Sequence, residues 1–482
     1  MVKVASIFLS LALSAFSVTA RYVFYYDQYH IGAPNNTITA GIDHVIVAFA
    51  NSSLFTTSPA GLYQPFENIT TIRSYFDPGT KVLISIGGWG DTHGFGEGAA
   101  TDESRKLFAA NVALLCDQYG FDGVDIDWEY PGGNGYDYRQ IPNSEKVSEI
   151  DTYPVLLGEI RRAIGPNRLL TIAIPGKIKD MIAYTPEKSP AIWMLVDWVN
   201  VMTYDLMNRR DNITAHHTDV KTSLETVDYY INNLQLDPKK INLGFSMYAK
   251  YFKVDPAQPC DTGLGCATEL LEDENGQDTG KSGTVTFQAE NYAQNLSNIT
   301  ETTDNSCGLG VLKKCADGQC CSPYGFCGNT SEYCSNCQGP EFGSGCQKPS
   351  TKTPFQTAME NGITDEVAGG QYYFDRANNL FWTWDTAALI SRKFTDVVAA
   401  RGLGGVMAWS LAQDSYDYSH ILALQKGAKE LHLNATKNDK SDYVSSRIRM
   451  TSNFGSQTKN APLPPASNPW WKPTWLKKLW PF

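Results

Sequence analysis

Eight short apolar runs, separated by helical patterns, constrain this chain more than any other feature. They are "YVFYYDQ" (22–28), "HVIVAFA" (44–50), "KVLISIGGW" (81–89), "FDGVDIDWEY" (121–130), "LLTIAIPG" (169–176), "WVNVMTYD" (198–205), "INLGFSMYA" (241–249) and "GGVMAWS" (404–410). Stretches such as "DTYPVLLGEIRRAI" and "TSLETVDYYINNLQ" between them carry helical periodicity. Strands apolar on both sides belong to a parallel sheet covered by helices, and eight such units predict a closed α/β fold, the (β/α)8 TIM barrel. An open doubly wound sheet is the alternative, but no G-x-G-x-x-G follows the first run. In a barrel, working residues gather at the carboxyl ends of the strands. Here those ends hold Tyr25 and Tyr26, residues 85–89 and 125–129, Tyr204, Asp205, Tyr248 and Trp409.

The seventh and eighth runs are separated by about 150 residues, far more than an ordinary connection, so extra structure must lie there. The barrel is expected over 21–250 and 386–433. An insertion over 251–305 and 348–385 contains a hairpin pattern, "GQYYFDRANNLFWTWD". A cysteine-rich module occupies 306–347, and a flexible aromatic tail covers 434–482.

The first twenty residues have a basic Lys3, an apolar centre and small residues at Val18 and Ala20, the pattern of a cleaved secretory signal. Without them the chain has 39 basic and 51 acidic residues, a net charge of −12, which repels nucleic acid and anionic lipid. No later stretch is long and apolar enough to span a bilayer. Sequons at Asn35, Asn51, Asn68, Asn212, Asn295, Asn298, Asn329 and Asn434 fit an extracellular or wall-associated glycoprotein. Of eleven cysteines, eight fall between Cys307 and Cys346. Cys260 and Cys266 are close enough to bridge a short loop. Cys116 lies on the apolar stripe of a helix that starts at Thr101 or Asp102 and stops at Gly120, which predicts a buried, inert thiol.

The fourth run packs Asp122, Asp125, Asp127 and Glu129 into an otherwise core-like segment. On a strand, residues two apart share a face, about 6.6 Å apart, so Asp125, Asp127 and Glu129 point one way and Asp122 the other. Asp122 is expected to be structural. Burial and like charge favour the neutral form, so one of the three holds a proton near neutral pH. Glu129, flanked by Trp128 and Tyr130, is the expected general acid. The segment lacks EF-hand glycine spacing, and neither metal nor cofactor is expected.

"DGVDIDWE" resembles the D-x-x-D-x-D-x-E signature of family 18 glycoside hydrolases, the chitinases. "SIGGW", "MTYD" and "GGVMAWS" resemble that family's other strand motifs in the same order, and "DLMNRRDNITAHHT" resembles secreted fungal members. The resemblance spans roughly 21–432. It implies that Glu129 protonates the glycosidic oxygen and then serves as base, that Asp127 orients the substrate acetamido group, and that Asp125 shares a proton with Asp127 beside Tyr25 and Ser85. The nucleophile would be the substrate's own N-acetyl oxygen, giving an oxazolinium ion and retention. Tyr204 would bond the acetamido group, Met202 and Asp205 would line its subsite, Trp409 would form its floor and Trp89 would stack a neighbouring sugar. Tyr248 matches the seventh strand, but Lys250 replaces the usual arginine, and "LMNRR" replaces the usual glycine and tryptophan after "MTYD". His216 and His217 read as loop structure.

The cysteine spacing C-x7-C-x4-CC-x5-C-x6-C-x2-C-x8-C allows 105 pairings. A module of about forty residues needs such bridges because its core is too small. The pattern resembles hevein-type chitin-binding modules. That resemblance implies pairs Cys307–Cys321, Cys315–Cys327, Cys320–Cys334 and Cys337–Cys346. It also implies that Ser322, Tyr324, Phe326 and Tyr333 bind sugar. Secretion and the adjacent cysteines argue against a zinc cluster.

Together these readings give a secreted, monomeric chitinase whose partners are chitin and chitooligosaccharides. The alternative is a chitin-binding lectin, or a wall-binding component of a killer-toxin-like complex. Lectin-like relatives typically lose the acid that Glu129 supplies, whereas the tail "WWKPTWLKKLWPF" suits contact with a glycan or a membrane interface.

Overall fold

In the computed structural model the described residues are 20–435, apart from 31, 289–298, 309–310, 323–324, 335–336, 348–351 and 416. The expected signal peptide, the tail and Tyr324 lie outside them, Ala20 and residues 434–435 excepted. Seven parallel strands, β1 (Arg21–Asp27), β2 (His44–Ala50), β3 (Lys81–Gly87), β4 (Gly123–Asp127), β5 (Leu169–Pro175), β6 (Trp198–Met202) and β7 (Ile241–Ser246), run in sequence order. The strand Gly405–Trp409 pairs with both β7 and β1 and closes the barrel. This is the expected TIM barrel.

The period of two along each strand sorts side chains into two cores. On β1, Tyr22, Phe24 and Tyr26 face outward to the helices, while Val23 and Tyr25 face the barrel axis. The inner cluster also holds Ile46, Ala48, Leu83, Ala173 and Met407. Helix formation follows the local signals. The helix Asp102–Tyr119 begins with a capping box between Thr101 and Ser104 and stops at Gly120, whose φ is 70°. Its stripe of Phe108, Val112, Leu115 and Cys116 is buried. Burial pushes the free Cys116 thiol up to about 12, which leaves it inert at neutral pH.

The seventh run does not remain one strand. After β7 the chain passes Met247 into Tyr248–Lys253, which pairs antiparallel with Ser282–Thr286 and Leu380–Trp384. The five-stranded insertion sheet is completed by Gly370–Asp375 and Ile363–Asp365, and the expected hairpin is its Gly370–Asp375 and Leu380–Trp384 pair. Its own core includes Tyr251, Val285, Phe287, Phe355 and Trp382. The sheet therefore rises directly from the carboxyl end of β7. The four cysteine pairs of the module are those implied by the resemblance, and Cys260–Cys266 bridges its loop. Among the described residues no helix is long and apolar enough to cross a membrane.

Candidate active site

A cleft of about 930 Å³ opens at the carboxyl end of the barrel and contains Asp127, Glu129, Tyr204 and Trp409. β3 and β4 approach closely beside Asp125 and Asp127. Gly87 has a φ of 112°, and a Cβ there would lie 2.2 Å from the Asp127 carbonyl oxygen, to which Gly88 N–H donates at 2.9 Å. This explains the glycine pair of "SIGGW".

Asp125 sits at the axis, fully buried, and accepts four hydrogen bonds. Tyr25 Oη and Ser85 Oγ each donate to Oδ2 at 2.9 Å, while Thr171 Oγ1 (2.5 Å) and Asn200 Nδ2 (3.3 Å) donate to Oδ1. Burial pushes its carboxyl up, against the opposing pull of those donors. Asp127 is 4% exposed, and its Oδ1 has no hydrogen-bond partner. Burial, followed by the charges of Glu129, Asp125 and Asp91, pushes it well above the usual carboxylate range. β4 ends at Asp127, so Glu129 stands in the turn beyond the strand rather than on it. Trp128 anchors that turn by stacking on Phe95 at 5.1 Å and meeting Tyr153 edge-on. Burial, then the charge of Asp205, raises Glu129 to about 8. The shift favours the protonated form of Glu129 at neutral pH. Asp122 lies on the opposite face, paired with Arg73 at 2.8 Å and accepting from Val82 N–H at 2.9 Å.

Opposite these acids, Asp205 accepts from Tyr248 Oη and Lys250 Nζ, both at 2.8 Å. Although burial acts the other way, Lys250 and His217 hold its carboxyl well below the usual range. Tyr204 Oη lies 3.8 Å from Met407 Sδ, and Met202 lines the same wall. Trp409 stacks on Phe49 at 5.4 Å and tilts against Tyr25. Trp89 is 45% exposed, with the Arg210 guanidinium 4.8 Å over its ring.

The chain matches the sequence model described as Glycosyl hydrolases family 18 over residues 21–414. It belongs to family 18. Within it, the chain is 37% identical over 148 residues to Chitinase A1 of Niallia circulans, covering 29% of this chain and 20% of that protein. It is 28% identical over 252 residues to Chitinase 1 of Aphanocladium album, covering 46% of this chain and 57% of that protein. The matched parts thus span less than two thirds of these relatives. The fold is similar to that of Ostrinia furnacalis Group II chitinase catalytic domain 2, with a TM-score of 0.58 at 21% identity, covering 86% of this chain and 97% of that one.

The family 18 barrel gathers Tyr25, Trp89, Asp127, Glu129, Met202, Tyr204, Asp205, Tyr248 and Trp409 around one cleft, with Ser85 and Asp125 directly beneath. In the module, Phe326 is 54% exposed and Tyr333 packs its ring over Gly328. Ser322 is buried, and its hydroxyl accepts the Phe326 N–H at 3.2 Å. Cys307, Cys315 and Cys327 come within metal-ligand reach of one another, but all three sulfurs are in disulfides.

Sequence reasoning misses several contributors. Phe49 backs Trp409. Arg210 occupies one side of Trp89, and "LMNRR" is legible only as a departure from the family pattern. Lys250 pairs with Asp205, and His217, fully buried, stacks on Tyr248 at 5.4 Å with Nδ1 3.8 Å from Asp205. His217 therefore supports the site, where the sequence suggests loop structure alone.

Proposed function

We propose that the protein is a secreted chitinase that hydrolyses β-1,4 N-acetylglucosamine linkages with retention, by substrate-assisted catalysis. The observation that carries this reading is one cleft lined by Glu129, the buried Asp127 and Tyr204, with burial raising the Glu129 carboxyl to about 8. Glu129 gives its proton to the leaving glycosidic oxygen. With its proton passed to Asp125, Asp127 accepts the acetamido N–H and stabilises positive charge as the acetamido oxygen closes on C1. Tyr204 donates its hydroxyl to the same group. Asp125, held by Tyr25 and Ser85, shares a proton with Asp127 through the cycle. Glu129, now a carboxylate, takes a proton from the water that opens the oxazolinium ion. Raised carboxyls in a cleft suit general acid work at neutral pH.

Met202, Asp205 and Tyr248 form the wall around the acetamido group, Trp409 its floor and Trp89 a neighbouring stacking surface. The cysteine-rich module acts as a chitin anchor through Phe326, Tyr324 and Tyr333, with Ser322 shaping that loop. The exposed Phe326 ring supports this role. The enzyme acts outside the cell as a monomer on chitin and chitooligosaccharides. Incubating the purified chain with chitotetraose tests the reading, since release of shorter N-acetylated products is expected and an intact substrate would refute it.

A further inference from the structure

The sequence predicts a module that only anchors the enzyme, yet part of it lies inside the catalytic cleft. Cys337, Gln338, Gly339, Glu341 and Phe342 line the same cavity as Asp127 and Glu129, which the insertion strand Ser282–Thr286 also lines. Among the described lining residues, neither Phe326 nor Tyr333 appears, so the module has two separate faces. The edge in the cleft is firmly held. Cys337 is bonded to Cys346, Gln338 N–H donates to the Cys321 carbonyl at 2.8 Å, and Cys315 N–H donates to the Phe342 carbonyl at 2.8 Å. Gln338 Nε2 also donates to the Ser322 carbonyl at 3.0 Å, and Phe342 is buried in the module's core.

Glu341 stands on this edge with a buried Oε2 that has no hydrogen-bond partner. A buried acceptor left unpaired is costly, and because Glu341 lines the cleft, a turn of its side chain would let the carboxylate meet a donor in the groove. Gly339 makes room for the carboxylate itself, since a Cβ at 339 would lie 2.5 Å from Glu341 Oε2. A carboxylate oxygen accepts well from a sugar hydroxyl or an amide N–H.

We propose that edge 337–342 is a wall of the substrate groove, in which Glu341 accepts a hydrogen bond from an N-acetylglucosamine unit beyond the central subsites. This rests on the chitinase reading above. The module then sets how long a chain the cleft grips, in addition to holding the enzyme on its polymer.

The test compares the full chain with Glu341→Ala and Glu341→Gln on chitohexaose and on a chromogenic chitobioside. Losing one hydrogen bond to a charged acceptor is expected to lower kcat/KM on the hexamer about tenfold, mainly through KM. The chitobioside should stay within about twofold, since the lost contact lies outside its reach. Glu341→Gln, which keeps an acceptor oxygen, should recover part of the loss. Equal loss on both substrates, or none on either, would overturn the assignment. Hexamer affinity measured by calorimetry in a Glu129→Gln background, with and without Glu341→Ala, separates the two claims. Equal affinities there would overturn the Glu341 contact, whereas a wild-type chain that cuts neither substrate would overturn the hydrolytic reading instead.

Discussion

Replacing Asp205 with asparagine should move the alkaline limb of activity to lower pH. Burial is the main cause of the raised Glu129 carboxyl, and Asp205 is the first of the charges that add to it. The asparagine amide would keep an oxygen for Tyr248 and Lys250, both of which lie 2.8 Å from Asp205 Oδ1, so the wall should hold its shape. It would also leave the Lys250 cation uncompensated, which lowers Glu129 further. Asp205 retains solvent contact, so the net effect is set at about one pH unit, or roughly 1.4 kcal/mol, the low end for a neighbouring like charge. The sign follows from the role of Glu129. Its acid form is needed, and activity is lost as pH rises through its pKa of about 8. At pH 8 the protonated fraction would drop from about a half to about a tenth, leaving roughly a fifth of the wild-type value from this effect alone. The assay is a profile of kcat/KM on chitotetraose from pH 4 to 10, which reports the free enzyme's acid. The limb position is the readout, because Asp205 lines the cleft and its replacement is also expected to lower the plateau. A limb that stays in place or moves up would refute this electrostatic reasoning.

Three further outcomes follow from the geometry. Asp122→Ala, which removes the Arg73 pair and the Val82 N–H bond on the helix side of β4, should cost about 1–2 kcal/mol in urea unfolding and leave kcat unchanged. Gly87→Ala should cost about 2–4 kcal/mol and reduce kcat at least 100-fold, because its Cβ would collide with the Asp127 carbonyl; wild-type activity would show that β3 and β4 do not meet as described. Phe326→Ala should weaken retention on chitin beads about fivefold, the worth of roughly 1 kcal/mol of ring stacking, while leaving chitotetraose kinetics intact. A matching loss in both assays would contradict the separate anchor.

The barrel was legible because strands covered on both faces are written as apolar runs, and all eight runs contain a barrel strand. Their ends were less legible. "INLGFSMYA" reads as one strand, but the chain leaves the barrel after Ser246, and Tyr248 begins an insertion strand set by pairing with distant partners. Similarly, "FDGVDIDWEY" alternates beyond the point where β4 stops, and the packing of Trp128, rather than strand periodicity, fixes Glu129. The four carboxylates were separable by face, since Asp122 and Asp125 have opposite surroundings. Arg210, Lys250 and His217 were not, because their roles depend on contacts across tens of residues. The position of edge 337–342 is of the same kind, because no local pattern records which face of a module meets a cleft.

In the proposed reaction Glu129 works as acid and base while the substrate supplies the nucleophile. Its most direct test is the anomer of the first product, followed by proton NMR on chitotetraose before mutarotation, for the wild-type chain and Glu129→Gln. The wild type should release the β-anomer first, and the variant should lose at least about 100-fold in rate. An α-anomer as first product, or undiminished hydrolysis by Glu129→Gln, would contradict that mechanism.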